Sequence, residues 1–328
     1  MSRYAIASVL LLLALPAAAE PPYGLRLPLD CQPGVDCWIL RHVDHDPGPG
    51  ARDYICGKLT GDGHQGVDFA IRDLAAMVEG VPVRAAATGV VEGLRDGVRD
   101  INVEDAGPGA IESRECGNGV RIDHGDGWVT MYCHMRRGSI MVQQGDRIGA
   151  GQQIGLVGLS GDTSFPHLHF DLRQGERIVD PFVGLERADE CVPGSRPLWR
   201  EDVMAQLVYQ PVVLTAIGVA PGVPKVEDVR AGYHAEDSLS ATSPALVIWV
   251  EAYWVEAGDR LSFQLIGPDL RSMLERTQNI EKAHKNWFGY VGERRPGDAW
   301  PAGTYTAKVT LERGETARVA LEKQVVVN

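Results

Sequence analysis

The sequence predicts an all-β protein built from two β domains, and two observations support this. Between Gly57 and Pro181 the apolar runs are short and are separated by glycine-rich turns, a pattern typical of closely spaced antiparallel strands. After Pro211, alternating segments follow one another between short polar turns. Five or more strands at that spacing indicate an immunoglobulin-like β-sandwich. A chain of 328 residues is long enough for two such cores.

The first 19 residues predict export. Arg3 precedes an apolar run over residues 5–15, and Ala17 and Ala19 provide a small-residue cleavage site. This run is too short to span a membrane, and no other apolar run in the sequence is long enough. We therefore expect a signal peptide over residues 1–19 and a soluble, exported mature protein.

Residues 20–56 are rich in proline, glycine and aspartate, which predicts an irregular N-terminal segment tied by disulfides and packed on the domain that follows. His42 and His45 lie among aspartates in this segment. They can be interpreted as metal ligands, but a solvated loop is the interpretation we favour.

The cysteines predict disulfides, because an even number of them in an exported protein is typical of an oxidising compartment. The chain has six. Cys116 and Cys133 lie on segments that flank the turn at Gly125–Gly127, so we expect them to pair. The other four can pair in any of three ways: Cys31, Cys37, Cys56 and Cys191.

Three motifs within residues 57–192 predict a metal site. GDGHQGVD contains His64 and Asp68, MYCHM contains His134, and FPHLHFDLR contains His167 and His169. Four of the nine histidines and one carboxylate lie in these three short motifs. Nitrogen and oxygen ligands without thiolate suit zinc, and three protein ligands leave a fourth position for water.

Residue spacing predicts how these side chains meet. In the last motif apolar and polar residues alternate, so a strand there places His167 and His169 on one face. The same alternation in WVTMYCHM predicts Tyr132 and His134 on one side of a strand and Cys133 on the other. The first motif is crowded with glycines, which predicts a tight loop that folds an imidazole and a carboxylate around an ion.

The order of the motifs resembles that of the lysostaphin-type (LytM-like) zinc metallopeptidases, which cut peptide cross-links in bacterial cell walls. The resemblance covers about residues 57–183 and implies an antiparallel β catalytic domain with a groove. It also implies that His64, Asp68 and His169 hold Zn²⁺ and that His134 and His167 are the catalytic histidines. The sequence has Ser-Phe where Thr-Gly often precedes the Pro-His-Leu-His of that family.

By this resemblance we expect a zinc-dependent endopeptidase that hydrolyses peptidoglycan cross-links in the periplasm of a Gram-negative cell, with a metal-activated water as nucleophile and stem peptides as substrate. Which of His134 and His167 is the base stays open. The alternative is a non-catalytic regulator or scaffold for other cell-wall hydrolases, because some relatives of this type have lost metal ligands.

The net charge of the chain limits the classes of partner it can bind. The formal net charge of −12 argues against a nucleic-acid partner, whose phosphates need a basic surface.

Residues 95–115 form an acidic insertion that we interpret as a solvated loop. Residues 193–210 predict a linker, and 211–328 the accessory β-sandwich, in which Ser272–Lys285 could instead form a short helix. We expect this domain to bind an envelope protein partner or the wall itself.

Overall fold

The computed structural model describes residues 24–107, 109, 111–185, 191–233 and 236–328, so the predicted signal peptide lies outside the described residues. The described chain is almost entirely β, as predicted. It has two large hydrophobic cores, one built from residues between Leu25 and Leu207 and the other from residues between Val212 and Val327. We refer to these parts as the first and the second domain; the predicted boundaries at 57, 193 and 211 remain predictions.

An antiparallel sheet dominates the first domain. The elements in chain order are β1 (Cys37–Arg41), β2 (Gly66–Ile71), α1 (Leu74–Glu79), β3 (Pro82–Arg84), β4 (Gly89–Arg95), β5 (Asn118–Gly125), β6 (Trp128–Met135), β7 (Arg147–Ile148), β8 (Gln153–Leu156), β9 (His167–Gln174), β10 (Arg177–Ile178) and α2 (Glu201–Met204). The strand order of the sheet is β1-β2-β9-β6-β5-β4-β7, with β10 paired to β9. A separate pair joins β3 and β8, and a 3₁₀ turn covers Val103–Asp105.

The core lies against one face of this sheet because apolar residues alternate along its central strands. Val67 and Phe69 of β2 and Leu168 and Phe170 of β9 are all buried in the first core. Successive side chains of a strand point to opposite faces. The polar residues between these apolar ones therefore share the other face, where the candidate site lies.

The N-terminal segment is more regular than predicted. Its residues Cys37–Arg41 form β1, which extends the sheet by pairing with β2. His42, predicted in a solvated loop, is buried, with its ring 5.6 Å from that of Tyr209 in a stacked arrangement and 5.0 Å from that of Phe182. His45 Nε2 lies 2.8 Å from Asp180 Oδ2. The apolar residues around β1 explain the difference, since they give the segment its own share of the core.

The residues predicted as a linker also pack on the first domain. They include α2, and Leu198, Trp199, Val203 and Leu207 are buried in the first core. Trp199 lies edge-on to Phe69, with 6.2 Å between the ring centroids.

Three disulfides join all six cysteines. The predicted pair, Cys116–Cys133, is confirmed, and the other two bonds are Cys31–Cys37 and Cys56–Cys191. The last bond spans 135 residues of sequence, whereas Cys31–Cys37 spans 6.

Two acids of the predicted insertion are anchored to the domain rather than only solvated. Asp96 accepts hydrogen bonds from the backbone N–H groups of Gly138 and Ile140. Asp100 accepts from those of Arg137 and Leu159. These bonds fix the base of the insertion beside the loop that follows β6.

The second domain consists of two sheets with a shared core. The elements are β11 (Val213–Ala220), α3 (Val226–Arg230), β12 (Ser238–Leu239), β13 (Ala245–Val255), β14 (Arg260–Ile266), β15 (Ser272–Asn279), β16 (His284–Arg294), β17 (Gly303–Arg313) and β18 (Ala317–Val327). The strand orders of the two sheets are β11-β13-β16 and β12-β18-β17-β14-β15. The helical alternative for Ser272–Lys285 is wrong, because β15 pairs with β14 along Ser272–Asn279. The immunoglobulin-like assignment stays a prediction.

The two domains are in direct contact beside β1. Trp38, Leu40 and Ala70 of the first domain form a small buried cluster with Val213 of the second. The indole Nε1 of Trp254 donates a hydrogen bond to the Leu40 carbonyl at 2.7 Å. Among the described residues, no helix has both the length and the apolar character needed to cross a membrane.

Candidate active site

The five predicted site residues all line one groove on the face of the first sheet opposite the core. Its volume is about 580 Å³. The walls also include Arg41 from β1 and Phe165 from the loop before β9. The structure thus brings together His64, Asp68, His134, His167 and His169.

Strand β9 delivers its two histidines as the alternation predicts. Leu168 and Phe170 are buried in the core, while His167 and His169 lie on the groove face. The pairing of β9 with β2 sets Asp68 directly opposite His169, which brings a carboxylate and an imidazole together.

His134 reaches the groove by a route that differs from the prediction. Tyr132 is fully buried in the core, and Cys133 lines the groove, so the predicted faces of β6 are reversed. Simple alternation would then turn His134 away from the groove. The register of β5 against β6 shifts so that two residues, Cys133 and His134, oppose Gly119 alone, and His134 has φ 60°. This β-bulge redirects the imidazole into the groove.

The first motif is part loop and part strand. His64 lies in the turn before β2, but Asp68 lies on β2 itself, so the prediction of a loop for both residues is wrong for Asp68. Gly66 is required between them, because a Cβ there would lie 2.7 Å from His169 Nε2 and 2.5 Å from the Phe170 carbonyl. The glycine lets β2 approach the imidazole of β9.

Three of these residues can hold a metal ion. One ligand atom from each of His64, Asp68 and His169 lies within 4.8 Å of the others. Asp68 Oδ1 is 3.1 Å from His64 Nε2 and 2.8 Å from His169 Nδ1. Two imidazoles and a carboxylate suit zinc. His64 Nδ1 donates to the His42 carbonyl at 2.7 Å, which keeps Nε2 free for a metal.

The other two histidines form a second group beside the first. Their ring centroids are 4.6 Å apart. His134 Nδ1 donates to the Ser160 carbonyl at 2.8 Å, and His167 Nδ1 to the Phe165 carbonyl at 3.0 Å. A carbonyl oxygen only accepts, so in each neutral ring the proton is on Nδ1 and the lone pair on Nε2.

Residues 62–181 match the sequence model of Peptidase family M23. We refer to this matched region as the M23 domain. The M23 domain contains all three motifs and both groups of side chains, and it ends shortly before Cys191, so the second domain lies outside the match.

Curated relatives align with the same region. The chain is similar to the peptidoglycan DD-endopeptidase ShyA of Vibrio cholerae, at 36% identity over 109 residues, which cover 33% of this chain and 20% of that protein. It is similar to the DD-carboxypeptidase/endopeptidase Mpg of Neisseria meningitidis, at 32% identity over 160 residues, which cover 46% of this chain and 31% of that protein. The chain therefore spans less than a third of the length of either relative.

Solved structures also resemble the M23 domain. The catalytic domain of the prophage-encoded M23 protein EnpA of Enterococcus faecalis is 29% identical, with a TM-score of 0.30, and the likeness covers 44% of this chain and 88% of that one. The catalytic domain of lysostaphin from Staphylococcus simulans is 25% identical, with a TM-score of 0.28, and the likeness covers 43% of this chain and 85% of that one.

Burial and charge shift the pKa of His134 and the pKa of His64 in opposite directions. Burial lowers the pKa of His134 well below its ordinary value, and the neighbouring His167 and His169 lower it further. Burial also acts to lower the pKa of His64, but the charge of Asp68 and its hydrogen bond outweigh it and raise that pKa. Burial would raise the pKa of Asp68, yet the adjacent histidines keep it well below its ordinary value.

Two groove residues were not identified from the sequence. Arg41 comes from β1, and its Nε lies 3.9 Å from Asp68 Oδ2. The ring of Phe165 stacks on that of His167 at 4.5 Å and an interplanar angle of 23°. The sequence did contain a signal for Phe165, since Ser164-Phe165 stands where Thr-Gly often precedes the Pro-His-Leu-His motif of similar enzymes. No spacing rule links β1 to β2, so the sequence held no comparable signal for Arg41.

Proposed function

We propose that the chain is a zinc-dependent endopeptidase that hydrolyses peptide cross-links of bacterial peptidoglycan. The observation that supports this best is the convergence of two groups in one groove. One group, His64, Asp68 and His169, has the donor set for zinc. The other, His134 and His167, presents two imidazoles whose tautomers are fixed by backbone carbonyls. A structural metal site would have no need of the second group.

The residues next to the metal site account for the proton transfers of amide hydrolysis. Bound zinc supplies a Lewis acid that polarises the scissile carbonyl and lowers the pKa of water. His134 and His167 each hold a lone pair on Nε2 and can accept a proton there. An imidazole that has gained this proton can donate it to the departing amine or stabilise the oxyanion of the tetrahedral state.

The fixed orientation of both rings is part of this proposal. Ser160, whose carbonyl holds His134, is fully buried, and its hydroxyl donates to the Met135 carbonyl at 2.7 Å. Thr163 Oγ1 lies 3.1 Å from His167 Nδ1 and donates to the Phe165 carbonyl at 2.8 Å. Groups held in this way need little rearrangement when the reaction begins.

The peptidoglycan substrate rests on the relatives, whose names include peptidoglycan DD-endopeptidases. We propose a periplasmic location because the sequence predicts a signal peptide and because the six cysteines form three disulfides. Both conditions are those of an exported cell-wall hydrolase.

The test is to incubate the purified mature protein with cross-linked peptidoglycan and to identify the products by mass spectrometry. We expect release of uncross-linked stem peptides, loss of that release with a chelator, and its return with zinc. Protein that binds one zinc ion tightly but releases no peptide would contradict the proposal and favour the non-catalytic regulator.

A further inference from the structure

A second cavity lies between the two domains. This interdomain cleft has a volume of about 670 Å³, within the range of sites that hold a ligand. The M23 domain contributes the start of α1, the 3₁₀ turn of the acidic insertion and the loop before β9. The second domain contributes residues from α3, β13 and β16, including Arg230, Glu251, Tyr253 and Asn286.

The interdomain cleft adjoins the groove of the candidate active site. Ser164 and Phe165 line both cavities. Phe165 stacks on His167 on the groove side, and its ring centroid is 6.1 Å from that of Tyr253 in the second domain. A chain bound across the candidate catalytic histidines that extends past Phe165 would reach the cleft.

The wall supplied by the second domain is held firmly against the first domain. Beside the bond from Trp254 to the Leu40 carbonyl, α3 is followed by Gly232, which packs against α1. A Cβ on Gly232 would lie 2.4 Å from Ala75 Cβ, and its φ is +89°. Contacts this close at two separate points indicate that the cleft is a fixed feature of the fold.

Arg230 is positioned within this wall. Its Nε donates to Glu251 Oε1 and its Nη2 to Asn286 Oδ1, each at 2.6 Å. Glu251 is almost fully buried, whereas the Arg230 side chain is 44% exposed. A guanidinium carries five N–H donors in a fork that matches a carboxylate. The two bonds hold the guanidinium in place on one side and leave donors for a ligand.

We propose that the interdomain cleft binds the stem-peptide segment beyond the bond that is cut, with Arg230 as the anchor for a carboxylate of that segment. This inference rests on the proposed function, since the segment is part of the same substrate. The amide side chains of Asn102 and Asn286 line the cleft from opposite domains and supply partners for peptide groups. The second domain is then one wall of the substrate site.

Binding can be tested separately from turnover by calorimetry with the zinc-loaded His134→Ala protein. The two probes are a cross-linked stem-peptide dimer with full stems and the same dimer with its free ends trimmed, so that both keep the same cross-link. We expect the full dimer to bind about 10-fold more tightly, a difference of about 1.4 kcal/mol. Equal affinities, or no binding of either peptide, would overturn the inference.

A bulky side chain at the cleft provides the matched comparison. Glu227 is an exposed acid in the first turn of α3 and lines the cleft, so Glu227→Trp fills it without removing a buried contact. Glu201 is an exposed acid in the first turn of α2 and does not line the cleft. Glu227→Trp is expected to abolish the preference for the full dimer, and Glu201→Trp to keep it. The reverse result would place the peptide elsewhere.

Arg230→Lys tests the carboxylate anchor, because the lysine keeps a positive charge beside Glu251 but loses the fork. We expect it to weaken binding of the full dimer several-fold and to leave the dimer with amidated ends unaffected. An equal loss for both peptides would remove Arg230 from the proposal.

Turnover by the protein with His134 intact distinguishes the two proposals. A length-dependent KM with zinc-dependent cleavage supports both. Tight, length-dependent binding without any cleavage would refute the proposed endopeptidase activity but support peptide binding in the cleft. Cleavage with equal KM for both dimers would support the endopeptidase activity but refute peptide binding in the cleft.

Discussion

Strands β9 and β6 lie side by side in the M23 domain, and both carry histidines into the groove, but they do so in different ways. Along β9 the alternation is unbroken, so His167 and His169 share a face because of their spacing alone. Along β6 the alternation is broken at a bulge, where His134 adopts φ 60°. In a regular strand the sequence pattern alone decides which face a side chain occupies. In a bulged strand the side chain reaches its face only if surrounding residues hold the bulge in place.

That support is visible around His134. Its backbone N–H donates to the Cys116 carbonyl at 2.8 Å, and Cys116 is bonded to the adjacent Cys133. Its ring is held by the Ser160 carbonyl. The bulge is thus fixed by a covalent bond and two hydrogen bonds, at a position where a positive φ is unfavourable for a residue with a side chain.

The largest effect is expected from Asp68→Asn, because Asp68 lies on β2 directly opposite His169 of the regular strand β9. The amide is a poor zinc ligand, so zinc is lost and turnover falls by about 10³-fold or more, since the metal supplies several kcal/mol. Metal content and peptide release measure this. Asp171→Asn is the control, because Asp171 is buried on the same groove face but pairs with Arg173. If Asp68→Asn kept its zinc, the ligand assignment would be wrong.

On the bulged side, His134→Ala is expected to keep zinc and to lose turnover. Removal of a proton-transfer group lowers the rate by about 10²-fold to 10⁴-fold. His124→Ala provides the control, since His124 bonds to the Thr88 carbonyl and to Thr130 and does not line the groove. Loss of zinc from the His134 variant would show that His134 contributes to metal binding and is not only a proton-transfer group.

The bulge itself can be loosened by replacing Cys116 and Cys133 with serine. Loss of this bond is expected to cost about 3 kcal/mol of stability. Because His134 is then less well held, kcat should also fall by about 10-fold to 100-fold. Replacing Cys31 and Cys37 lowers stability without this loss of kcat, and denaturant unfolding with steady-state kinetics separates the two outcomes. A normal kcat in the first variant would show that the bulge holds without its disulfide.

His64 and His134 should also differ in how their protonation affects zinc affinity. The pKa of His64 is raised in the metal-free protein, so protons compete with zinc for its Nε2. Below that pKa the zinc affinity should fall about 10-fold per pH unit. The pKa of His134 is lowered well below its ordinary value, so its ring stays neutral there and His134→Ala should leave this dependence unchanged. Chelator competition between pH 5.5 and 7.5, a window of about one unit on either side of an ordinary histidine pKa, measures it. A shifted pH profile of zinc affinity in the His134→Ala variant would show that His134 and the zinc ligands are coupled.

The smallest effect concerns the backbone. At φ 60° glycine is favoured over alanine, so His134→Gly should be about 1 kcal/mol more stable than His134→Ala. At Met131, a regular position on the same strand, the order should be reversed. Thermal or chemical unfolding of the four variants gives the answer, and the same order at both positions would argue against a strained bulge.

Sequence reasoning selected the five candidate residues, which line one groove in the structure, because each lies in a short motif. It predicted the faces of β9 correctly because that strand is regular. It assigned the faces of β6 wrongly, since a bulge of one residue leaves no trace in the alternation. It placed Cys116 opposite Cys133 across one turn, but it could not choose the partner of Cys56, whose bond spans 135 residues. Contacts between distant segments, such as Arg41 with Asp68, depend on the whole sheet.

The disulfide Cys56–Cys191 encloses the whole M23 domain, residues 62–181, in one covalent ring. A protease that cuts the backbone once at any point between these cysteines produces two fragments that remain linked. The fragments would separate on a denaturing gel only after reduction. The groove, with its ligands drawn from both ends of this ring, thus has a safeguard against cleavage in its exposed loops.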